Sequence, residues 1–341
     1  MDTLWFVIVA VFWTGFFVLE GFDFGVGMLH RWLGRSETER RVAINAIGPT
    51  WDGNEVWLIV AAAGMFAAFP GWYATWFSAL YLVLVLVLVS LIIRGVSFEF
   101  RGKRDSVRWR GTWSWTLTVG SALAPLLFGV GLGDLLAGLP VDADQEFTGS
   151  FGDLLTPYGL VFGVTLVLLC LVHGGTFLGL KVGDPLRSRA QDFTARLSWV
   201  SLVAVVVTAV WTYNLSGRSP LSLVLAVAAL GGAVAAALLA RDRREGLAFT
   251  ATTVTIAASV GSIFAGLYPN VLVSSTAAAN NLTIANASSQ QYALQVMSVV
   301  ALVCVPVVLL YQGWAYYVFR TRLRVPPEVS RADAAGTDAR R

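Results

Sequence analysis

Histidine is almost missing from this 341-residue chain: His30 and His173 are the only two. Cysteine is as scarce, at Cys170 and Cys304, and of the 24 basic residues only Lys103 and Lys181 are lysines. Charge is also short, 13% of residues, where a soluble domain carries about 25%. Each shortage excludes something. Two cysteines inside apolar runs support neither a disulfide framework nor a cysteine metal site, and read as small core residues. A haem held by two imidazoles needs two histidines within the membrane. His30, in HRWLGR after the first apolar run, reads as a solvated interfacial residue, so His173, in VHGG, stands alone and only a single His–Fe bond stays open to it. The net charge of +3 is scattered over short loops, with no basic stripe for nucleic acid. The preference for arginine suggests a GC-rich genome.

What is present is hydrophobic: 56% of residues, with a mean hydropathy of +0.69. That marks a polytopic membrane protein, each span needing about 20 mostly apolar residues. Nine spans are expected, at about 4–28, 49–69, 73–94, 113–136, 157–180, 196–214, 221–240, 247–267 and 292–319. Residues 1–28 lack a basic start and a cleavage site, so they read as a retained first span. Every basic residue except Arg218 falls after spans 1, 3, 5 and 7 or in the C-terminal tail, whereas the loop 134–153 carries Asp134, Asp142, Asp144, Glu146 and Asp153. Basic loops stay in the cytoplasm, which puts the N-terminus outside and the C-terminus inside. Short connections make an all-α fold of two four-helix bundles, spans 1–4 and 5–8, with span 9 added. Residues 1–320 form one transmembrane domain and 321–341 a disordered cytoplasmic tail. The uncharged loop 268–291 reads as a structured external cap.

The acids are oddly placed. The charge-free run LWFVIVAVFWTGFFVL, residues 4–19, is too short to span, so its helix must continue through Glu20 and Asp23 in EGFDFGVG. By the same reckoning the run 56–69 must reach back through Glu55 and Asp52 in PTWDGNEVW. Each pair is three residues apart and shares a helical face. Span 3 ends at Arg94, followed by Glu99 and Arg101. Arginines at a helix end can snorkel to the interface. Short carboxylates cannot, and acids in a membrane usually mark proton or ion pathways. The glycines around Asp23 follow no strand and so make no dinucleotide loop; they read as close helix packing. Beside Asp52, Trp51 and Trp57 supply apolar bulk, Gly53 room for water and Asn54 a hydrogen-bond partner. Arg94 is expected to neutralise one intramembrane acid, Asp23 first.

GFDFGVGML, GRSETERR, PTWDGNEVWLI, SLIIRGVSFEFR, WRGTW, HGGTFL and YPNVLVSS, in this order over residues 21–275, resemble subunit II of cytochrome bd-type quinol oxidases. The resemblance implies a heterodimer with a haem-bearing subunit I in the bacterial cytoplasmic membrane. The partner would hold two haems b and one haem d and the quinol-oxidising loop, and the complex would reduce oxygen to water and build a proton motive force. Small accessory subunits, lipid and quinol are further expected partners. Subunit II would be a pseudo-symmetric scaffold without haem ligands. Carried over, Asp52 lies on a proton path toward the oxygen-reducing haem, while Asp23 and Arg94 maintain the haem region. Glu55 departs from members with glutamine there; it either extends the path with Glu20 and Asp23 or pairs with a local arginine. Two other readings remain: a stand-alone transporter using the intramembrane acids, and a scaffold with no proton role.

Overall fold

A computed structural model describes residues 1–324. The first helix, α1 (Asp2–Leu33), runs without interruption past Glu20 and Asp23, as the length argument requires. Next come α2 (Glu37–Ile47), α3 (Trp51–Ala68), α4 (Pro70–Ala79), α5 (Tyr81–Phe100) and α6 (Val107–Ala137). The second half holds α7 (Pro157–Lys181), α8 (Leu186–Leu215), α9 (Pro220–Arg241), α10 (Glu245–Leu267) and α11 (Gln291–Val318). Eight of these are long and apolar enough to cross a membrane: α1, α5, α6, α7, α8, α9, α10 and α11. The expected second span is α3, whose eighteen residues include Asp52 and Glu55 and do not join that set. The expected third span breaks at Leu80 into α4 and α5.

Helix α2 has no counterpart among the expected spans. Its start is dictated locally: Ser36 accepts from the Glu39 backbone N–H while the Glu39 carboxylate accepts from the Ser36 N–H, a reciprocal cap for orphan donors. Burial opposes ionisation of Glu39, but Arg189 and the backbone N–H groups of Arg35 and Ser36 outweigh it and hold the carboxyl below its ordinary value.

Helix α1 is the hub, packing against α3, α6, α7 and α10. Its aromatic face (Trp13, Phe16 and Phe17, all fully buried) interlocks with Trp76 and Phe128. Where α1 crosses α7, Gly25 lies against Gly174; a Cβ on Gly25 would sit 1.9 Å from the Cys170 carbonyl oxygen. The α6–α7 crossing uses the same device, Gly129 and Gly133 facing Gly163 and Gly159 at a spacing of four. Helices α7 to α10 pack in succession, with α10 returning to α7, whereas α11 rests lightly on α3.

Three expectations are corrected at the ends of the fold. Asp134, assigned to an external acidic loop, belongs to α6 and is completely buried, with Oδ1 accepting from Thr156 at 2.6 Å. His30 is completely buried rather than solvated, its Nδ1 2.7 Å from the Gly27 carbonyl. Residues 321–324, placed in a disordered tail, dock on the α7–α8 turn: Leu323 N donates to Lys181 O at 2.8 Å, and Gly183 N donates to Leu323 O at 2.9 Å. The rest of that tail lies outside the described residues. The segment 268–291 is structured as expected. Strands β1 (Asn270–Leu272) and β2 (Leu282–Thr283) pair antiparallel, and Ser274, Thr276 and Asn280 all donate to the Val141 carbonyl.

Candidate functional site

The two acidic clusters meet inside the protein. Helix α1 supplies Glu20 and Asp23, α3 supplies Asn54 and Glu55, and α5 supplies Arg94. Glu20, Asp23, Asn54 and Arg94 are completely buried. Arg94 lies between two carboxylates: its Nη1 donates to Glu55 Oε2 at 2.7 Å, and its Nη2 is 2.5 Å from Glu20 Oε1. The Glu20 contact is an ion pair without hydrogen-bond alignment, because neither Glu20 oxygen has a well-directed donor among the described residues. Aromatic rings enclose the guanidinium, Phe24 at 4.9 Å, Phe98 at 5.4 Å and Trp51 at 5.9 Å from its carbon to the ring centres. Arg94 therefore does not snorkel. Its expected partner, Asp23, is held by another group: Asn54 Nδ2 donates to Asp23 Oδ2 at 2.6 Å.

Asn54 is itself fixed from α11. Tyr316 donates to its Oδ1 at 2.7 Å, Gln312 Nε2 donates to the same oxygen at 3.0 Å, and Trp57 Nε1 donates to Gln312 Oε1 at 2.9 Å. A buried amide with this many partners has one orientation, which aims its N–H group at Asp23. Gln312 and Tyr316 are not among the residues the sequence singles out. Their only signal there is two polar groups four residues apart in a mostly apolar helix that carries several other polar residues, among them Gln295, Ser298, Tyr311 and Tyr317.

Other expected residues lie outside this network. Asp52 is on the exposed side of α3, one turn before Glu55, and a Cβ added to Gly53 beside it would meet nothing within 4 Å. Arg101 is buried but pairs with Glu37 at 2.7 Å and donates to Ser114, away from the acids. Glu99 is exposed and has no ion pair among the described residues. Trp51 packs on Phe98, and Trp57 on Phe12, closing the network on its apolar sides.

Neither histidine fits a haem. Both nitrogens of His173 are occupied, Nδ1 by Thr252 at 2.6 Å and Nε2 by the Val18 carbonyl at 3.2 Å, and its ring stacks on Phe249. His30 has an unpartnered Nε2, but the residue is completely buried and leaves no face for a porphyrin. Among the described residues no group of three or more histidine, cysteine or acidic side chains could hold a metal ion.

Fold and site together define a helical, multi-pass membrane protein with three acids gathered around one buried arginine. The chain belongs to the family of cytochrome bd terminal oxidase subunit II, which matches residues 1–319. It is 45% identical to cytochrome bd ubiquinol oxidase subunit 2 of Bacillus subtilis (strain 168), covering 95% of this chain and 97% of the relative. Against cytochrome bd-I ubiquinol oxidase subunit 2 of Escherichia coli (strain K12) the identity is 38%, covering 92% and 93%. The bd oxidase structure from Geobacillus thermodenitrificans shares the fold, with a TM-score of 0.73 at 17% identity over 93% of this chain and 96% of that one. The chain is thus one subunit of a quinol:oxygen oxidoreductase complex, a terminal respiratory oxidase that uses haem and quinol, and its designation as subunit II implies a subunit I partner.

Proposed function

We propose that this chain is the haem-free subunit of the oxidase and brings cytoplasmic protons toward the oxygen-reducing haem, with the haems b and d ligated by subunit I. The observation that carries this is the charge imbalance of the buried network. Glu20, Asp23 and Glu55 are three carboxyl groups around one guanidinium, and a low-dielectric interior does not tolerate the excess negative charge. The excess is neutralised by bound protons, shared over coupled groups. Asp52, one helical turn before Glu55, gives this store an exposed end. The bound haem supplies the oxygen chemistry; this chain's residues take up, hold and release protons, with Arg94 keeping the acids from all being neutral at once.

The same exposed acid suggests where the partner docks. Asp52 shares its face of α3 with the bare apolar residues Ile59 and Phe66, seven and fourteen positions on. Carboxylates on membrane helices rarely face lipid, which supports subunit I covering this face of α3. Counting α3 as a crossing gives nine spans, with the N-terminus outside and the C-terminus in the cytoplasm of a bacterium. Reporter fusions at Gly149 and Ala285 are expected to read outside, and at Arg104 and Arg243 inside. A cytoplasmic signal at Gly149 overturns that orientation.

Asp52→Asn keeps size and removes the carboxyl group. Quinol-driven oxygen consumption by the purified complex should fall at least about tenfold, a floor below the roughly 10²–10⁴-fold that a positioned proton-transfer group contributes. Haem content on the same sample should be unchanged, and Asp52→Glu should recover part of the rate. Normal turnover of Asp52→Asn with full haem reduces the chain to a scaffold and leaves proton delivery to subunit I.

A further inference from the structure

On the arginine-rich side of the molecule, a groove of about 540 Å³ opens between the end of α1 and the start of α8. Its polar rim is Arg35, Arg189 and Arg196, and its walls include Trp32, Phe193 and Val200. Two of the three arginines have unspent charge. Arg189 is paired with Glu39 and also donates to the Leu33 carbonyl, whereas Arg35 and Arg196 are exposed and have no acidic partner among the described residues. The one acid in the groove, Asp192, is taken by Arg243 at 2.9 Å.

The groove does not end at its charged rim. Val200 begins a bare apolar line along α8, continued by Val203, Val207 and Val210 at helical spacing, 46–63% exposed. Trp32, 72% exposed, stands at the other lip, the position of an interfacial aromatic anchor. Charge at the rim with an apolar track below it matches one chemistry. A soluble phosphate would use the arginines and leave the track bare; a neutral lipid would use the track and leave two guanidinium groups unneutralised.

We propose that this groove is a binding site for an anionic phospholipid, its phosphate held by Arg35 and Arg196 and one acyl chain lying along Val200–Val210. Guanidinium forks bind phosphate oxygens in pairs of charge-assisted hydrogen bonds, and each basic residue at a membrane surface adds roughly a fivefold preference for anionic lipid. The site is separate from the acid network: Asp23, Glu20 and Arg94 do not line it. It holds whether or not Asp52 carries protons.

The test is lipid retention by the assembled oxidase. The complex is stripped in detergent, exposed to vesicles of phosphatidylglycerol or phosphatidylcholine, and weighed by native mass spectrometry. Wild type should retain one phosphatidylglycerol that the double variant R35Q/R196Q binds about twenty-fivefold more weakly, the product of two such contributions. Phosphatidylcholine retention should be equal in both, and R218Q, on the opposite side, should behave as wild type. Haem content verifies that the double variant has assembled; if it has not, the single variants R35Q and R196Q are read in its place, each expected at about fivefold. Three results overturn the proposal. Equal phosphatidylglycerol retention by wild type and variants removes the site. Displacement of the lipid by millimolar inorganic phosphate alone makes it a phosphate site. Binding that emerges only after deletion of residues 325–341, whose three acids Glu328, Asp333 and Asp338 are matched by three arginines, makes the chain's own C-terminal segment the occupant.

Discussion

Arg94→Gln is expected to abolish accumulation of the haem-loaded complex. The substitution leaves Glu20 and Glu55, at 2.5 and 2.7 Å from the guanidinium nitrogens, facing each other without the positive charge between them. Removing one member of a buried ion pair costs about 3–5 kcal/mol, a large share of the stability of a typical domain. The rings of Phe24, Phe98 and Trp51 that now face a cation would face a neutral amide. The measurement is haem per milligram of membrane protein, with an antibody against the chain to count subunits. Double variants then separate the partners. Glu20→Gln combined with Arg94→Gln should be clearly milder than the sum of the singles, because it removes both members of a direct contact. Asp23→Asn with Arg94→Gln should be closer to additive, since Asp23 is held by Asn54. A larger coupling for Asp23 than for Glu20 would reverse this assignment.

That ordering was not legible in the sequence. The run 4–19 was too short to span, which placed Glu20 and Asp23 inside the membrane, and the three-residue spacing placed both on one side of α1. Helical spacing does not say which of two such acids meets a residue on another helix. The answer depends on how α1 crosses α3 and α5, which the packing decides. Burial of Arg94 was equally out of reach, because an arginine at the end of an apolar run looks the same whether it turns out to water or in to a carboxylate. The apolar pattern located most helices to within a few residues, including the segment around Asp52. It could not show that Asp52 turns outward while Asn54 and Glu55 turn in, because an 18-residue helix carrying two acids and packed on several sides has no clean apolar stripe. Tyr316 and Gln312 were hidden by distance. Both lie more than 250 residues from Asn54, in a mostly apolar helix where nothing marks them out from its other polar residues.

The placement of the acid network rests finally on how closely α1 can approach α7, and Gly25→Ala should expose that dependence. A methyl group at position 25 would lie 1.9 Å from the Cys170 carbonyl oxygen and 2.8 Å from the Gly174 backbone. The obstacles are backbone atoms, not the flexible end of a side chain, so relief requires the helices themselves to separate. Overpacking a rigid contact costs about 1–3 kcal/mol and more where neighbours cannot yield. The cost here is compounded, because Asp23 lies two residues from the crossing and Glu20 five, both on the helix that must move. Displacing α1 pulls Glu20 away from Arg94 and Asp23 away from Asn54, so one methyl group should cause loss of complex together with loss of haem. Gly231→Ala is the matched control: position 231 on α9 has nothing within 4 Å of a new Cβ, and alanine is favoured over glycine in a helix by about 1 kcal/mol. It should therefore leave yield and thermal stability of the complex unchanged or slightly raised. Thermal unfolding followed by haem absorbance compares the two variants with wild type. Wild-type stability in Gly25→Ala would mean that the α1–α7 crossing is wider than the geometry described, and that the buried network does not depend on it.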